Sequence, residues 1–271
     1  MLNFLYNTFP GRVLLRPLTS RKVSKACGRF MDSKASKILI KPFVKKNKID
    51  LDDYYSDDFQ CFNDCFTRKI HEELRPVERD NDALIAPCDG LLSAYNIDMD
   101  MVMPAKQSWY TVKSLLGGSK DAVRFEDGVC LVFRLCTDDY HRFIYFDSGV
   151  KSENVFIPGR LHTVRPVALK SVPVFTENCR EYTIMETKNF GTVAQIEVGA
   201  MLVGKIKNHD QSGTFMRGQE KGMFMYGGST IILLFEKDKV QLPKAVMQAT
   251  WREKEIPVQM GQKIGETVQN V

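Results

Sequence analysis

Residues 83–97 read Ala-Leu-Ile-Ala-Pro-Cys-Asp-Gly-Leu-Leu-Ser-Ala-Tyr-Asn-Ile, two short apolar runs joined at Pro87-Cys88-Asp89-Gly90. Both runs are too short for a stable helix and are closed by Pro, Asp and Gly, so they predict two strands with an acid in the tight turn between them. The pattern continues downstream. Runs rich in Val, Ile, Phe and Tyr recur at Val129–Cys136, Phe143–Phe146, Asn154–Pro158, Glu181–Glu186, Thr192–Val198, Met201–Ile206 and Ser229–Phe235, separated by Gly, Asp, Asn or Pro. Such regular spacing predicts a β-barrel or sandwich, with one helical interruption at Ser108–Leu116. Upstream, Ser36 to Arg68 reads as helical pieces broken by an acidic turn at Asp50–Asp58. The fold class is therefore read as α+β, a mainly β domain over 76–271 behind a helical, basic arm over 1–75.

The chain has 271 residues, 44% hydrophobic and 26% charged, with 18 Gly and 11 Pro. That composition supports a packed core and is neither disordered nor fibrous. No apolar stretch approaches the ~20 residues needed to span a bilayer. The first fifteen residues lack the basic, apolar and small-residue order of a secretory signal, which predicts an intracellular protein. Seven scattered Cys (27, 61, 65, 88, 130, 136 and 179) show neither paired clusters nor neighbouring His; reduced, mostly buried thiols and no metal site are expected.

The net charge of +5 hides an asymmetry: residues 1–48 hold twelve Lys or Arg against Asp32 alone, a segment charge of +11. Leu2, Phe4, Leu5, Phe9, Val13, Leu14 and Leu15 lie among those cations, so the arm suits an anionic lipid surface better than nucleic acid. A solvated helical face, packed on the main domain through Ile38, Leu39, Ile40 and Phe43, is the plainer reading of the same text. No nucleic-acid motif is present.

Three polar elements adjoin the predicted strands. Asp89 sits in the first turn. Asp138-Asp139-Tyr140-His141-Arg142 follows the 129–136 run and supplies an imidazole among acids and a guanidinium, the materials of acid–base chemistry. Gly227-Gly228-Ser229-Thr230 precedes Ile-Ile-Leu-Leu-Phe, placing a hydroxyl beside two glycines at the mouth of a buried strand. Each has an ordinary structural explanation by itself: a turn Asp, a structural His, a hairpin turn.

In order and spacing, however, these elements resemble one family from about Cys61 to Gly265. The elements are CFNDCFTRKI (61–70) with Arg75-Pro76, APCDG (86–90), DYHR (139–142), NCRE (178–181), VGA (198–200) with Val203-Gly204, GQEKG (218–222), GGST (227–230), Met260-Gly261 and Ile264-Gly265. The chain resembles the pyruvoyl-dependent phosphatidylserine decarboxylases, in particular a bacterial subgroup with Gly-Gly-Ser-Thr where many members have Leu-Gly-Ser-Thr. The resemblance implies a catalytic β domain that cuts itself between Gly228 and Ser229, giving chains 1–228 and 229–271. Ser229 would become a covalent pyruvoyl group that forms a Schiff base with phosphatidylserine and serves as electron sink, with no dissociable cofactor. It assigns Asp89 to self-cleavage and His141 to the decarboxylation step. One position departs: many relatives read Tyr-His-Arg-x-His, the second His being the base of self-cleavage, and here it is Ile144. His141 serving both steps is the favoured replacement, with His162 the next. A non-maturing lipid-surface binding protein of the same fold is the alternative reading. The resemblance and the arm together imply a peripheral protein on the cytoplasmic side of the cell membrane, with a homo-oligomer left open. His71 and His209 are given no role.

Overall fold

The computed structural model describes residues 2–98, 103–105, 108–201, 205–227 and 229–268. Its centre is an antiparallel sheet with strand order Gly213–Phe215, Gly149–Lys151, Arg180–Thr187, Gly191–Val198, Ser229–Phe235, Val129–Leu135, Gly90–Asn96 and Ile256–Val258. A ninth strand, Val155–Ile157, also pairs with Arg180–Thr187. Two three-stranded sheets accompany it. One joins Ala83–Ile85, Lys263–Thr267 and Val240–Gln241; the other joins Ile206–Asn208, Glu220–Phe224 and Arg142–Ile144. The architecture is α+β, as the apolar spacing predicted.

The run Ile231–Phe235 is apolar at every position because the strand is covered on both faces. Ile231, Leu233 and Phe235 point into one cluster with Leu131, Phe133, Phe143 and Phe224. Ile232 and Leu234 point into another with Cys130, Val132, Ala194 and Ile196. This is the two-residue alternation of a strand applied to a fully enclosed element. The first face meets the small sheets and the second meets helices.

The arm closes that second face. It begins with α1 (Leu2–Asn7), α2 (Phe9–Leu18) and α3 (Arg21–Met31). Thr8 and Ser20 cap α2 and α3, accepting from the amides of Gly11 and Val23. Leu5, Tyr6 and Leu15 enter the core, so this segment is bound by burial worth roughly 1.5–3 kcal/mol per large apolar side chain. Ile38, by contrast, is 76% exposed, and Phe43 meets Phe62 and Phe66 with ring centroids 5.0 and 6.0 Å apart. The docking residues thus lie earlier in the arm than the run 38–43 suggested.

The helix expected over Ser108–Leu116 is corrected. Ser108–Tyr110 is a strand paired with Met103–Ala105, and only Val112–Leu115 turns helical behind a Thr111–Ser114 capping box. The run Met201–Ile206 falls partly outside the described residues, and its strand is Ile206–Asn208. All seven thiols are free, and Cys65, Cys88, Cys130 and Cys179 are buried.

Candidate active site

Ser229 opens the central strand, opposite Leu135 on one side of it, and Thr230 sits opposite Arg134 and Val198. The Ser229 side chain is 1% exposed, and its hydroxyl has no hydrogen-bond partner among the described residues. An orphaned buried hydroxyl costs about 1–3 kcal/mol. Gly228, the expected residue before the cut, lies outside the described residues.

The residues before it are held by the element 61–70. Asn63 accepts the Tyr226 N–H through Oδ1 at 3.1 Å, and Phe62 and Phe66 both meet the Tyr226 ring edge-on. Phe66 also lies against the His141 ring, centroids 4.1 Å apart. The short helix Phe62–Phe66 therefore grips the approach to Ser229 and one catalytic candidate at once. Arg142 ties the same element down by donating from Nε to the Thr67 carbonyl at 2.8 Å.

His141 is fully buried, and its Nδ1 is 2.8 Å from the Asp139 carbonyl. A carbonyl only accepts, so Nδ1 carries the proton and Nε2 keeps the lone pair. Nε2 makes no hydrogen bond of good geometry among the described residues, although the Gly227 carbonyl stands next to the ring, where it favours the protonated form. Burial, with Arg68 adding repulsion, pushes the imidazole down to about 3. Burial thus favours the neutral ring at physiological pH, with Nε2 lacking a partner among the described residues.

Asp89 stands at the same end of the sheet but two strands away, since Leu91 and Thr230 both face Arg134 from opposite sides. Two strand spacings amount to roughly 10 Å. Its carboxylate is taken by Arg75, with Nε 2.8 Å from Oδ1 and Nη2 2.6 Å from Oδ2, and by the Met260 N–H at 2.8 Å. Among the described residues it bonds neither His141 nor Ser229. The following Gly90 has φ +148°, and a Cβ there would meet the Arg134 carbonyl oxygen at 2.9 Å; only glycine fits that turn.

Ile144 donates its N–H to the Pro87 carbonyl at 2.9 Å, so it borders the Asp89 turn, and its side chain packs in the apolar cluster with Cys88. Position 144, where the resemblance pointed to a second histidine, is therefore apolar, and Asp89 has Arg75 as its partner. His162 faces elsewhere. Its Nδ1 lies 3.2 Å from the Tyr6 hydroxyl and its Nε2 3.4 Å from Glu177, which directs the ring at the arm.

Sequence reasoning passed over Arg75 and Asp139 as individual residues. Arg75-Pro76 was visible only as a family element, and Asp139 only as one of two adjacent acids. Asp139 accepts the Cys136 N–H at 2.6 Å, and burial, reinforced by Asp138 and Asp89, raises it to about 6. Because the folded state holds this proton more tightly than the unfolded chain, Asp139 loses stability as pH rises from about 4 to 6, about 3 kcal/mol in all. His141 has the opposite sign: its depressed value costs stability as pH falls below about 6.5. The two slopes oppose each other between pH 4 and 6. Asp139→Asn should therefore raise the melting temperature at pH 7.5 and steepen the acid-side loss. Thermal scans from pH 4 to 8 check this, and a variant no more stable at neutral pH with an unchanged profile would show that the Asp139 carboxylate pays no penalty for burial.

The sequence profile of the family described as phosphatidylserine decarboxylase matches residues 62–266. Among curated proteins, phosphatidylserine decarboxylase proenzyme 2 of Clostridium acetobutylicum is 45% identical over 267 residues, covering 98% of this chain and 91% of that protein. The proenzyme of Clostridium kluyveri is 39% identical over 270 residues, covering 97% and 91%, and that of Clostridium perfringens strain SM101 is 40% identical over 270, covering 97% and 92%. With its sheet, its buried serine and this near full-length similarity, the chain belongs to the phosphatidylserine decarboxylase family.

Proposed function

We propose that this chain decarboxylates phosphatidylserine to phosphatidylethanolamine, after cutting itself between Gly228 and Ser229 into chains 1–228 and 229–271. The observation that carries the reading is the Ser229 hydroxyl, shut away from water without a partner among the described residues, at the head of a strand fixed on both sides. Beside the preceding loop stands an imidazole that burial keeps neutral, its Nε2 without a partner among the described residues. A hydroxyl so held can attack the carbonyl before it, and holding both groups in one chain removes the entropy of bringing them together. His141 takes the hydroxyl proton through Nε2. Its low basicity makes it a modest base, so positioning supplies the larger share of the rate. Asp89 shapes the turn at this end of the sheet, with Arg75 and Met260 fixing its carboxylate.

After acyl transfer from nitrogen to the hydroxyl, β-elimination frees the upstream chain as the Gly228 carboxylate, which keeps the serine oxygen, and leaves a dehydroalanine at residue 229 that water hydrolyses to the pyruvoyl ketone with loss of ammonia. Ser229 fits that group because its own atoms supply it inside an enclosed site. The ketone supplies a carbonyl for the substrate amine and a sink for the electron pair left by carbon dioxide. His141 is proposed to return a proton to the substrate through Nε2, which must first take that proton up during turnover. A denaturing gel with mass spectrometry tests the reading: purified protein should show a 43-residue fragment with a blocked N-terminus, whereas one uncut chain supports the lipid-binding alternative.

The arm, residues 1–75, is proposed to hold the catalytic part, residues 76–271, on the cytoplasmic face of an anionic membrane. No described helix is long and apolar enough to cross a bilayer. The α2 helix buries Gly11 and Leu15 yet leaves Phe9, Val13 and Leu14 exposed at 79, 53 and 55%, flanked by Arg12 and Arg16. Such a face enters the acyl boundary while its cations meet anionic headgroups. Phe9→Ser with Val13→Ser should cut binding to phosphatidylserine-containing vesicles about tenfold or more, given roughly 1.5 kcal/mol or more per buried apolar side chain. Chain cutting should persist, because Leu5, Tyr6 and Leu15 stay docked. Wild-type binding should also weaken as salt rises. Unchanged vesicle co-sedimentation by the double variant would place the lipid contact on another surface.

A further inference from the structure

A cavity of 680 Å³ lies between α3 and the β-rich part, and Arg21, Lys22, Lys25, Arg29 and Lys205 line it. None of these five cations forms an ion pair among the described residues; Arg21 lies over the Phe156 ring, 5.4 Å from its centre. The two carboxylates in the wall are occupied by amides: Asp32 accepts from Asn63 and Glu181 from Asn208, each at 2.7 Å. Arg21, Lys25 and Arg29 recur every fourth residue along one helix, an arrangement of like charges that destabilises an isolated helix. The two wall carboxylates keep their charge, and with five cations against two of them the cavity is a cationic space.

Two further features show what the space is shaped for. Gly28 lines it from the middle of α3, and a Cβ built there would meet nothing within 4 Å. Glycine costs a helix about 1 kcal/mol relative to alanine, and here its missing side chain keeps the cavity open. Met225 and Asn63 also line it, and Asn63 is the residue that holds Tyr226 on the way to Ser229. From Met225 to Ser229 is four residues, at most roughly 14 Å of chain. Phe30 and Phe156, 45 and 46% exposed, put apolar surface beside these charges.

We propose that this cavity binds the phosphodiester of the substrate headgroup, making α3 part of the substrate site rather than only a membrane-facing surface. Clustered cations, without an ion pair among the described residues, suit a phosphodiester through charge-assisted hydrogen bonds, and the exposed rings leave the acyl chains at the lipid boundary. The inference rests on the decarboxylase reading. It names where the lipid anion is held while its amine reaches residue 229.

The test uses the matured two-chain protein and a water-soluble headgroup, glycerophosphoserine, so that membrane attraction plays no part. Lys25→Ala with Arg29→Ala should raise KM about tenfold or more while the 43-residue fragment still forms. Gly28→Leu, which improves helix propensity and fills the cavity, should do the same. Lys45→Ala with Lys46→Ala removes equal charge from the arm away from the cavity and should leave KM unchanged. Calorimetric binding of glycerophosphoglycerol, a phosphodiester without an amine, should weaken in parallel with KM in the first two variants, and inorganic phosphate should compete only weakly. Wild-type KM and glycerophosphoglycerol affinity in both cavity variants would overturn the inference. So would a loss seen only on phosphatidylserine vesicles and matched by the Lys45/Lys46 variant, because the cations would then serve general membrane attraction. Strong competition by inorganic phosphate, with no binding of the diester, would reassign the cavity to free phosphate. A wild-type protein that matures but decarboxylates neither substrate would instead sink the functional reading itself.

Discussion

Replacing Ser229 by alanine is expected to yield a single 271-residue chain with decarboxylation at background. The hydroxyl is the proposed nucleophile of the cut, and without it residue 229 has no route to a ketone. The structure adds a second expectation. The Ser229 hydroxyl is buried without a partner among the described residues, so its removal should relieve about 1–3 kcal/mol of desolvation cost, and the uncut variant should melt higher than an uncut wild-type precursor. Inactivity with raised stability separates loss of chemistry from misfolding. A 43-residue fragment from Ser229→Ala, or turnover of phosphatidylserine by it, would remove this serine from the mechanism.

The second large effect is expected at Arg75. Its guanidinium grips both oxygens of Asp89, and both side chains are mostly shielded, 17 and 9% exposed. Arg75→Met keeps the length of the side chain and leaves the carboxylate with the Met260 N–H alone. Breaking such a shielded pair from one side typically costs about 3–5 kcal/mol, a large fraction of the stability of most domains. Adding Asp89→Asn should restore much of the loss, since the orphaned charge goes with its partner. Chemical denaturation of the two single variants and the double variant measures the coupling. If Arg75→Met is as stable as wild type, the bidentate pair holds nothing together. Cutting rates in the restored double variant then report what Asp89 does for maturation apart from stability.

How much of this was legible depended on what each strand has for neighbours. The Ser229–Phe235 strand is central and covered on both faces, so its text is apolar without a break from Ile231 onward, and Val129–Leu135 beside it is interrupted by Arg134 alone; both were readable as strands. The Gly149–Lys151, Gly213–Phe215 and Ile256–Val258 strands are three residues long and peripheral, and little in their composition separates them from loops. Glu220–Phe224 was hidden for another reason. Lys221 is fully buried there, donating to Glu197 and Asn208 at 2.7 Å each, and a lysine in sequence reads as solvent-facing. At the candidate site, Ser229, Asp89 and His141 could be named from their family elements. The Arg75 partner of Asp89, the Phe66 wall on His141 and the attachment of His162 to Tyr6 depend on contacts between segments far apart in the chain.

Ser229 begins a strand hydrogen-bonded along both edges to the longer piece of the chain, and the later strands Ile256–Val258 and Lys263–Thr267 pair with it as well. A cut before Ser229 therefore divides the covalent chain without dividing the fold. The precursor reaches its structure by a unimolecular route, whereas two severed pieces must find each other again. Maturation would thus act as a one-way step in folding: the finished protein unfolds into two molecules, its apparent stability depends on its concentration, and a denatured sample recovers far less readily than the precursor. On the proposed mechanism the Ser229 hydroxyl is enclosed only once its strand is paired on both sides, which would tie the timing of the cut to the end of folding.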